Sequence, residues 1–340
     1  MVPTARAHLA RRNRIATTTT TATATSASWP LLATPARRSC CRRPALLVRA
    51  SAYAPAPLEA DAAVPLPTTP DAQIALAADA VVAAWRDGRW TRQVVQIELP
   101  LIGATDLDDW PGGIRQQFKA AQPMVEEMLR RVRAAEPGLR GGLTPAIWDD
   151  GDAVGAWTGA PRSGLSCVLF PTVQTLGRLR ALADAADAER PAGGGGAGDK
   201  PAACTVIVNP QWRPDLSDYG GPFGFGRAEA LAAASSFRPS FAFTRRRVFG
   251  DDVYTVRAYP APWRVAVVRD ARAGPGAAGQ GARLLFEADG EGPAPSYSDV
   301  ENALRARPDS AVNMPLAERL QREFTWNQKS LQDGPPPPPQ

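Results

Sequence analysis

Residues 94–118 read VVQIELPLIGATDLDDWPGGIRQQF: a strand, a long loop and the first turns of a helix. Val95, Ile97 and Leu99 alternate with Gln96 and Glu98, the period of two expected of a strand with one dry face. Pro100 has no N–H to give a sheet ladder, so the strand expected over 93–99 stops there. Helical spacing resumes at Ile114, just past Trp110-Pro111-Gly112-Gly113.

The same step recurs outward from this stretch. Upstream, Thr69 caps a helix with Pro70 at its first position, and Ile74, Ala78, Val81 and Trp85 line one face. Downstream, Ile114, Phe118, Ala121, Val125, Met128 and Val132 keep a strict 4-3-4-3-4 spacing through Pro123, which predicts one kinked helix or two stacked short ones. Ala146–Trp148 and Val154–Trp157 flank the turn at Asp149-Asp150-Gly151-Asp152. Leu165–Phe170 and Cys204–Val208 are unbroken apolar runs, as in buried central strands, and each ends on a proline, Pro171 and Pro210. A helix with Val173, Leu176, Leu179 and Leu182 separates them, and another follows at 227–236.

From Phe241 the pattern becomes a meander of strands at 241–249, 253–259, 263–268 and 283–287. Ser298 with Glu301 reads as the capping box of a short helix, and Leu316, Leu320 and Phe324 as the stripe of a last one. No internal repeat is present. The fold class expected is α/β with a mixed sheet: strand–helix alternation in the first half, then an antiparallel meander, its halves one domain or two lobes. Residues 51–68 are expected as a Pro/Ala-rich linker, 69–331 as the domain, 190–202 as a flexible Gly-rich insert and 332–340 as a disordered proline tail.

The formal charge of +5 is unevenly spread. Residues 1–50 hold nine Arg and no Lys, Asp or Glu, so the remaining chain carries 30 basic groups against 34 acidic ones. That disfavours a generic nucleic-acid-binding body. The arm is also rich in Thr, Ser and Ala and lacks the apolar core of a secretory signal. It is expected to be an organelle transit peptide cut near Val48-Arg49-Ala50, chloroplast before mitochondrion, with a disordered cytosolic arm as the alternative. No apolar run reaches the length of a membrane span.

The single histidine, His8, lies in that arm, and the lysines are Lys119, Lys200 and Lys329. Histidine-based nucleophile activation and histidine-ligated zinc are therefore excluded from the body. Cys167 and Cys204 each sit in an apolar run, as buried small hydrophobes or as a redox pair on neighbouring strands. No catalytic residue, cofactor or metal ligand is expected.

If the strands ending at Pro100, Pro171 and Pro210 are parallel, the loops 101–113, 171–172 and 209–226 share one rim, where open α/β sheets hold ligands. The residues expected to meet a partner or ligand there are Trp110, Gly112, Gly113, Arg115, Asn209, Gln211, Trp212, Phe223 and Phe225. The alternative is that the prolines only terminate strands. The Trp-Pro-Gly-Gly step offers either free helix-terminal amides to an anion or a tight turn, and no G-x-x-x-x-G-K-[ST] occurs. Gly224-Phe225-Gly226 begins a dinucleotide fingerprint that Glu229 breaks. Asp106, Asp108 and Asp109, like Asp149, Asp150 and Asp152, lack calcium-loop spacing and read as solvated loops. Arg245, Arg247 and Arg257 are expected to form a basic sheet face, either solvated or facing anionic lipid, a nucleic-acid backbone or an acidic protein segment.

The ordered segments ELP…DDWPGGIRQQF…PMVEEML, VIVNPQW and RVFGDDVYTVRAYPAPWRVAV resemble the chloroplast and cyanobacterial family catalogued as domain of unknown function nineteen-ninety-five, over roughly Pro70 to Leu331. SYSDVENALRARP and TWNQKSLQ are similar to its plant branch, the low photosystem II accumulation proteins. The resemblance implies a plastid protein of the stroma or stromal thylakoid face that assists photosystem II assembly through protein partners, with room for peripheral thylakoid contact; it carries over no catalytic residue. The rival expectation is an enzyme or binder of a small phosphorylated ligand at the rim. RNA binding is the least expected.

Overall fold

The computed structural model describes residues 62–88, 90–100, 113–159, 164–188, 203–217, 219, 225–268, 281–321 and 323–324. One nine-stranded mixed sheet runs through them, in which β1 (Arg92–Gln96), β4 (Leu165–Leu169), β5 (Cys204–Val208) and β6 (Arg238–Val248) form a parallel block ordered β4-β5-β1-β6. The antiparallel hairpin of β2 (Leu143–Asp149) and β3 (Val154–Gly159) flanks β4. On the other side β7 (Asp251–Ala258), β8 (Trp263–Val268) and β9 (Ala282–Ala288) continue from β6 as the meander. Because β6 belongs to both halves, the two are one sheet rather than separate lobes.

Alternation decides which helix covers which face. Val95, Cys167, Val206 and Phe241 point to α1 (Pro70–Arg86) and α2 (Gly113–Ala135), whose Ile74, Val81, Trp85, Val125 and Met128 complete the largest core. Val94, Val168 and Ile207 point the opposite way, to α3 (Leu176–Ala188) and α4 (Arg227–Ser235). Further along that second face, Val253 and Val265 pack on Val300 and Leu304 of α5 (Tyr297–Arg305). Burying each such side chain contributes about 1.5–3 kcal/mol, which makes these three clusters the main source of stability.

Local signals act as expected at α1, where the Thr69 hydroxyl accepts from Ala72 N and Pro70 opens the helix. α2 is one helix despite Pro123, whose ring sits on the exposed side. Two expectations are corrected. The capping box of α5 is Ser296 with Asp299, two residues before the pair expected, because the Ser296 hydroxyl accepts from Asp299 N while Asp299 Oδ2 accepts from Ser296 N. Residues 62–68, expected as linker, are laid on the domain: Val64 and Leu66 are buried, Val64 N donates to Ala282 O, and Ala63 bridges Arg283 of β9. The expected leader, insert and proline tail at 1–50, 190–202 and 332–340 lie outside the described residues.

Candidate functional site

The three strands expected to stop at prolines are parallel neighbours, so their carboxyl ends do share a rim, although β1 ends at Gln96 rather than at Pro100. β1 leaves the sheet toward α2 on one face and β5 toward α4 on the other, which makes the gap between them a topological switch point, the usual ligand crevice of such sheets. Here the protein fills it with its own amide. Asn209 takes a left-handed backbone (φ 47°), and its Oδ1 accepts from Ile97 N at 2.8 Å while its Nδ2 donates to Ile97 O at 2.9 Å. The side chain thus extends the β1–β5 ladder past the last backbone pair. Phe170 stands at the equivalent position after β4, also left-handed (φ 54°) and also followed by proline.

The other rim residues are likewise engaged. Gln211 N donates to Pro171 O and its Nε2 to Asn209 O. Trp212 is half-buried against the α3–α4 core. Gly113 opens α2 at φ 64°, and Arg115 is exposed, paired with Asp150 at 2.7 Å. Phe225 is exposed beside Gly226, which precedes α4. Trp110, Gly112, Phe223 and the acidic Asp106, Asp108 and Asp109 lie outside the described residues. Asp149 Oδ1 accepts from Gly151 N and Asp152 N, a local turn, and among the described residues no cluster of His, Cys, Asp and Glu could hold a metal.

The expected basic face is corrected. Arg245 and Arg247 share a side and both reach Asp252, at 3.3 and 3.2 Å, while Arg247 also binds Glu323. Arg257 is on the opposite side. The β6–β7 turn is the two-residue Phe249-Gly250, both left-handed, which pairs odd positions of β6 with even positions of β7 and sets Arg257 against Ala242.

Arg257 is instead 2% exposed; its backbone stands opposite Ala242, itself level with Gln96 of β1, while its guanidinium turns to Trp90, which precedes β1. Its guanidinium lies 5.6 Å from the Trp90 ring and 5.2 Å from that of Trp263, within cation–π range. Arg238 stacks on the same Trp90 ring at 3.9 Å and pairs with Glu291, and Tyr259 meets Trp90 edge-on at 4.7 Å. Burial draws the Arg257 guanidinium below its ordinary value; Glu291 opposes that and Arg238 adds to it. Sequence reasoning missed this cluster. The signal available was weak: Arg238 and Trp263 each open a strand, and Trp90 stands two residues before one.

A mixed sheet with helices on both faces and a switch point closed by an asparagine defines the class. The chain belongs to the family described as Domain of unknown function (DUF1995), which matches residues 67–277. That stretch contains Trp90, Arg238, Arg257 and Trp263 and ends before β9, so Glu291 and everything after it lie beyond the match. No curated protein and no solved structure matches the chain.

Proposed function

We propose that this protein is a plastid auxiliary factor that works through protein–protein contacts and assists photosystem II assembly. One observation supports contact as its mode of action. The backbone is helical at 316–321 and 323–324, and this segment is turned polar side inward. Arg319 lies 5.8 Å over the Phe249 ring, and both carboxylate oxygens of Glu323 accept from Arg247 Nε, whereas Leu316, Leu320 and Phe324 remain 63%, 60% and 64% exposed. Half-exposed Tyr297 and Phe249 stand beside it, their rings 6.4 Å apart. A helix normally buries its apolar stripe, and a contiguous exposed one marks a surface that another molecule covers.

The compartment rests on the Arg- and Thr-rich, acid-free first fifty residues and on the resemblance to the photosystem II accumulation branch. Among the described residues no helix is long and apolar enough to cross a membrane. The test is affinity capture from thylakoid extracts with the wild type and with Leu316→Glu/Leu320→Glu. Photosystem II core subunits retained by the first and lost by the second are the expected result. Capture of none of them by the wild type overturns the reading.

A further inference from the structure

Among the described residues Arg257 is the one arginine that is fully buried, and partly exposed arginines find carboxylates. Arg92, which opens β1, places its guanidinium on Asp184, Asp187 and Ser236 at 2.6–3.1 Å. Arg86 sets Nε and a terminal nitrogen on the buried Glu136. Arg257 has no such partner: its Nε is buried without a hydrogen bond, and no described residue accepts one from its guanidinium. A guanidinium carries five donors, and leaving them unmet out of water costs free energy that stacking on two indoles offsets only in part.

The surroundings indicate what is missing. Arg238 and Arg257 lie over one indole, Trp90, and raise each other's electrostatic cost unless negative charge lies close by. The negative charge now present is Glu291, 62% exposed, which pairs with the half-exposed Arg238. It stands on the short turn 289–292, held by Glu291 N on Asp289 Oδ1 at 3.0 Å and by Trp263 Nε1 on Gly292 O at 3.3 Å. Nothing else fixes the Glu291 side chain among the described residues. A surface carboxylate that pairs with Arg238, and whose charge also acts on the unpartnered Arg257, is the arrangement of a site held by its own stand-in.

We propose that Arg257 and Arg238, walled by Trp90 and Trp263, form a binding site for a compact oxyanion, a phosphate or carboxylate group, which the Glu291 carboxylate occupies until a ligand displaces it. Arginine suits the role because its planar fork matches two oxygens of such a group at once. The site gathers around Trp90, ahead of β1, and is independent of the apolar stripe at 316–324.

The test is calorimetric titration of the full chain with inorganic phosphate and, separately, with succinate. Glu291→Gln removes the internal competitor from an exposed turn and leaves the fold intact. It is expected to bind at least one probe tenfold or more tighter than the wild type. Adding Arg257→Met, an apolar side chain of similar length, is expected to cost that variant at least tenfold, with melting temperature and circular dichroism confirming the fold. The probe that is preferred separates phosphate from carboxylate recognition. Unchanged affinity in Glu291→Gln, binding of neither probe to it, or a folded double variant that binds as well as the single one each overturns the proposal. Should the double variant fail to fold, Arg238→Met in the Glu291→Gln background supplies the same comparison.

Discussion

The Asn209 side chain holds Ile97 by both its backbone groups, accepting from the N–H at 2.8 Å and donating to the C=O at 2.9 Å. Two strands that part to opposite faces of the sheet are thereby kept together one residue beyond their ladder. Asn209→Gly keeps the left-handed backbone and deletes both bonds, so it should destabilise by about 2 kcal/mol, at about 1 kcal/mol per bond. Asn209→Ala should cost about 1 kcal/mol more, for the left-handed conformation. Denaturant melts of the two variants separate these contributions; equal stability of wild type and Asn209→Gly would refute the bridge.

Gly88, at the end of α1, is hemmed in by Ala84 O at 2.9 Å, Trp90 Nε1 at 2.9 Å and the Tyr259 hydroxyl at 3.0 Å from where a Cβ would stand. Because one of those neighbours is backbone, Gly88→Ala must displace Trp90 or the helix end. A loss of about 1–3 kcal/mol is expected, of the size found for overpacking. Thermal unfolding followed by tryptophan fluorescence reads both the stability and the disturbed indole.

Pro123 lies in the middle of α2 on its exposed side, where it supplies no N–H to the helix. Pro123→Ala should restore that bond and raise stability by roughly 1–3 kcal/mol, less the entropy that the freer unfolded chain regains. A lower melting temperature in the alanine variant would show that the proline shapes α2 to fit the core.

Cys167 and Cys204 are free, buried neighbours on β4 and β5. Burial pushes both thiols up, Cys204 to about 12, from an ordinary value of 9.0. The folded state thus keeps protons that the unfolded chain releases. The contribution is full below pH about 9 and is lost as pH rises toward 12. The stability gap between wild type and Cys167→Ala/Cys204→Ala should therefore narrow between pH 9 and 11. Iodoacetamide should label the native thiols only as fast as the sheet opens. Prompt labelling at pH 8 would contradict the buried geometry.

Much of the architecture was legible because it rests on local chemistry. Prolines marked the ends of the apolar runs at β4 and β5, whereas β1 ends at Gln96, short of the stop expected at Pro100. Of the one kinked helix or two short ones that the spacing from Ile114 to Val132 allowed, α2 is one. What escaped depends on register and long-range contact. The face on which Arg257 lies follows from a turn of two residues at Phe249-Gly250, and shifting such a turn by one residue reverses every side chain beyond it. The closure of the switch point needed a partner 112 residues away, Ile97 for Asn209, which no spacing rule anticipates. The linker was misread at its end because Val64 and Leu66 look unremarkable among prolines, and only the open edge of β9 gives them a place.

That edge governs how the chain can be trimmed. With Ala63 bridged to Arg283 and Leu284 N donating to Ala62 O, a short strap shields the last strand from pairing with a neighbour, while the outer strand at the other end, β2, carries Pro145 in its middle. A cut at Val48-Arg49-Ala50 would spare the strap; a cut within 62–68 would remove it and expose a sticky border. Recombinant versions begun at Thr69 should therefore clump on a sizing column where those begun at Asp61 run as a sharp peak, so the tolerated trimming point is set by a strand more than two hundred residues away.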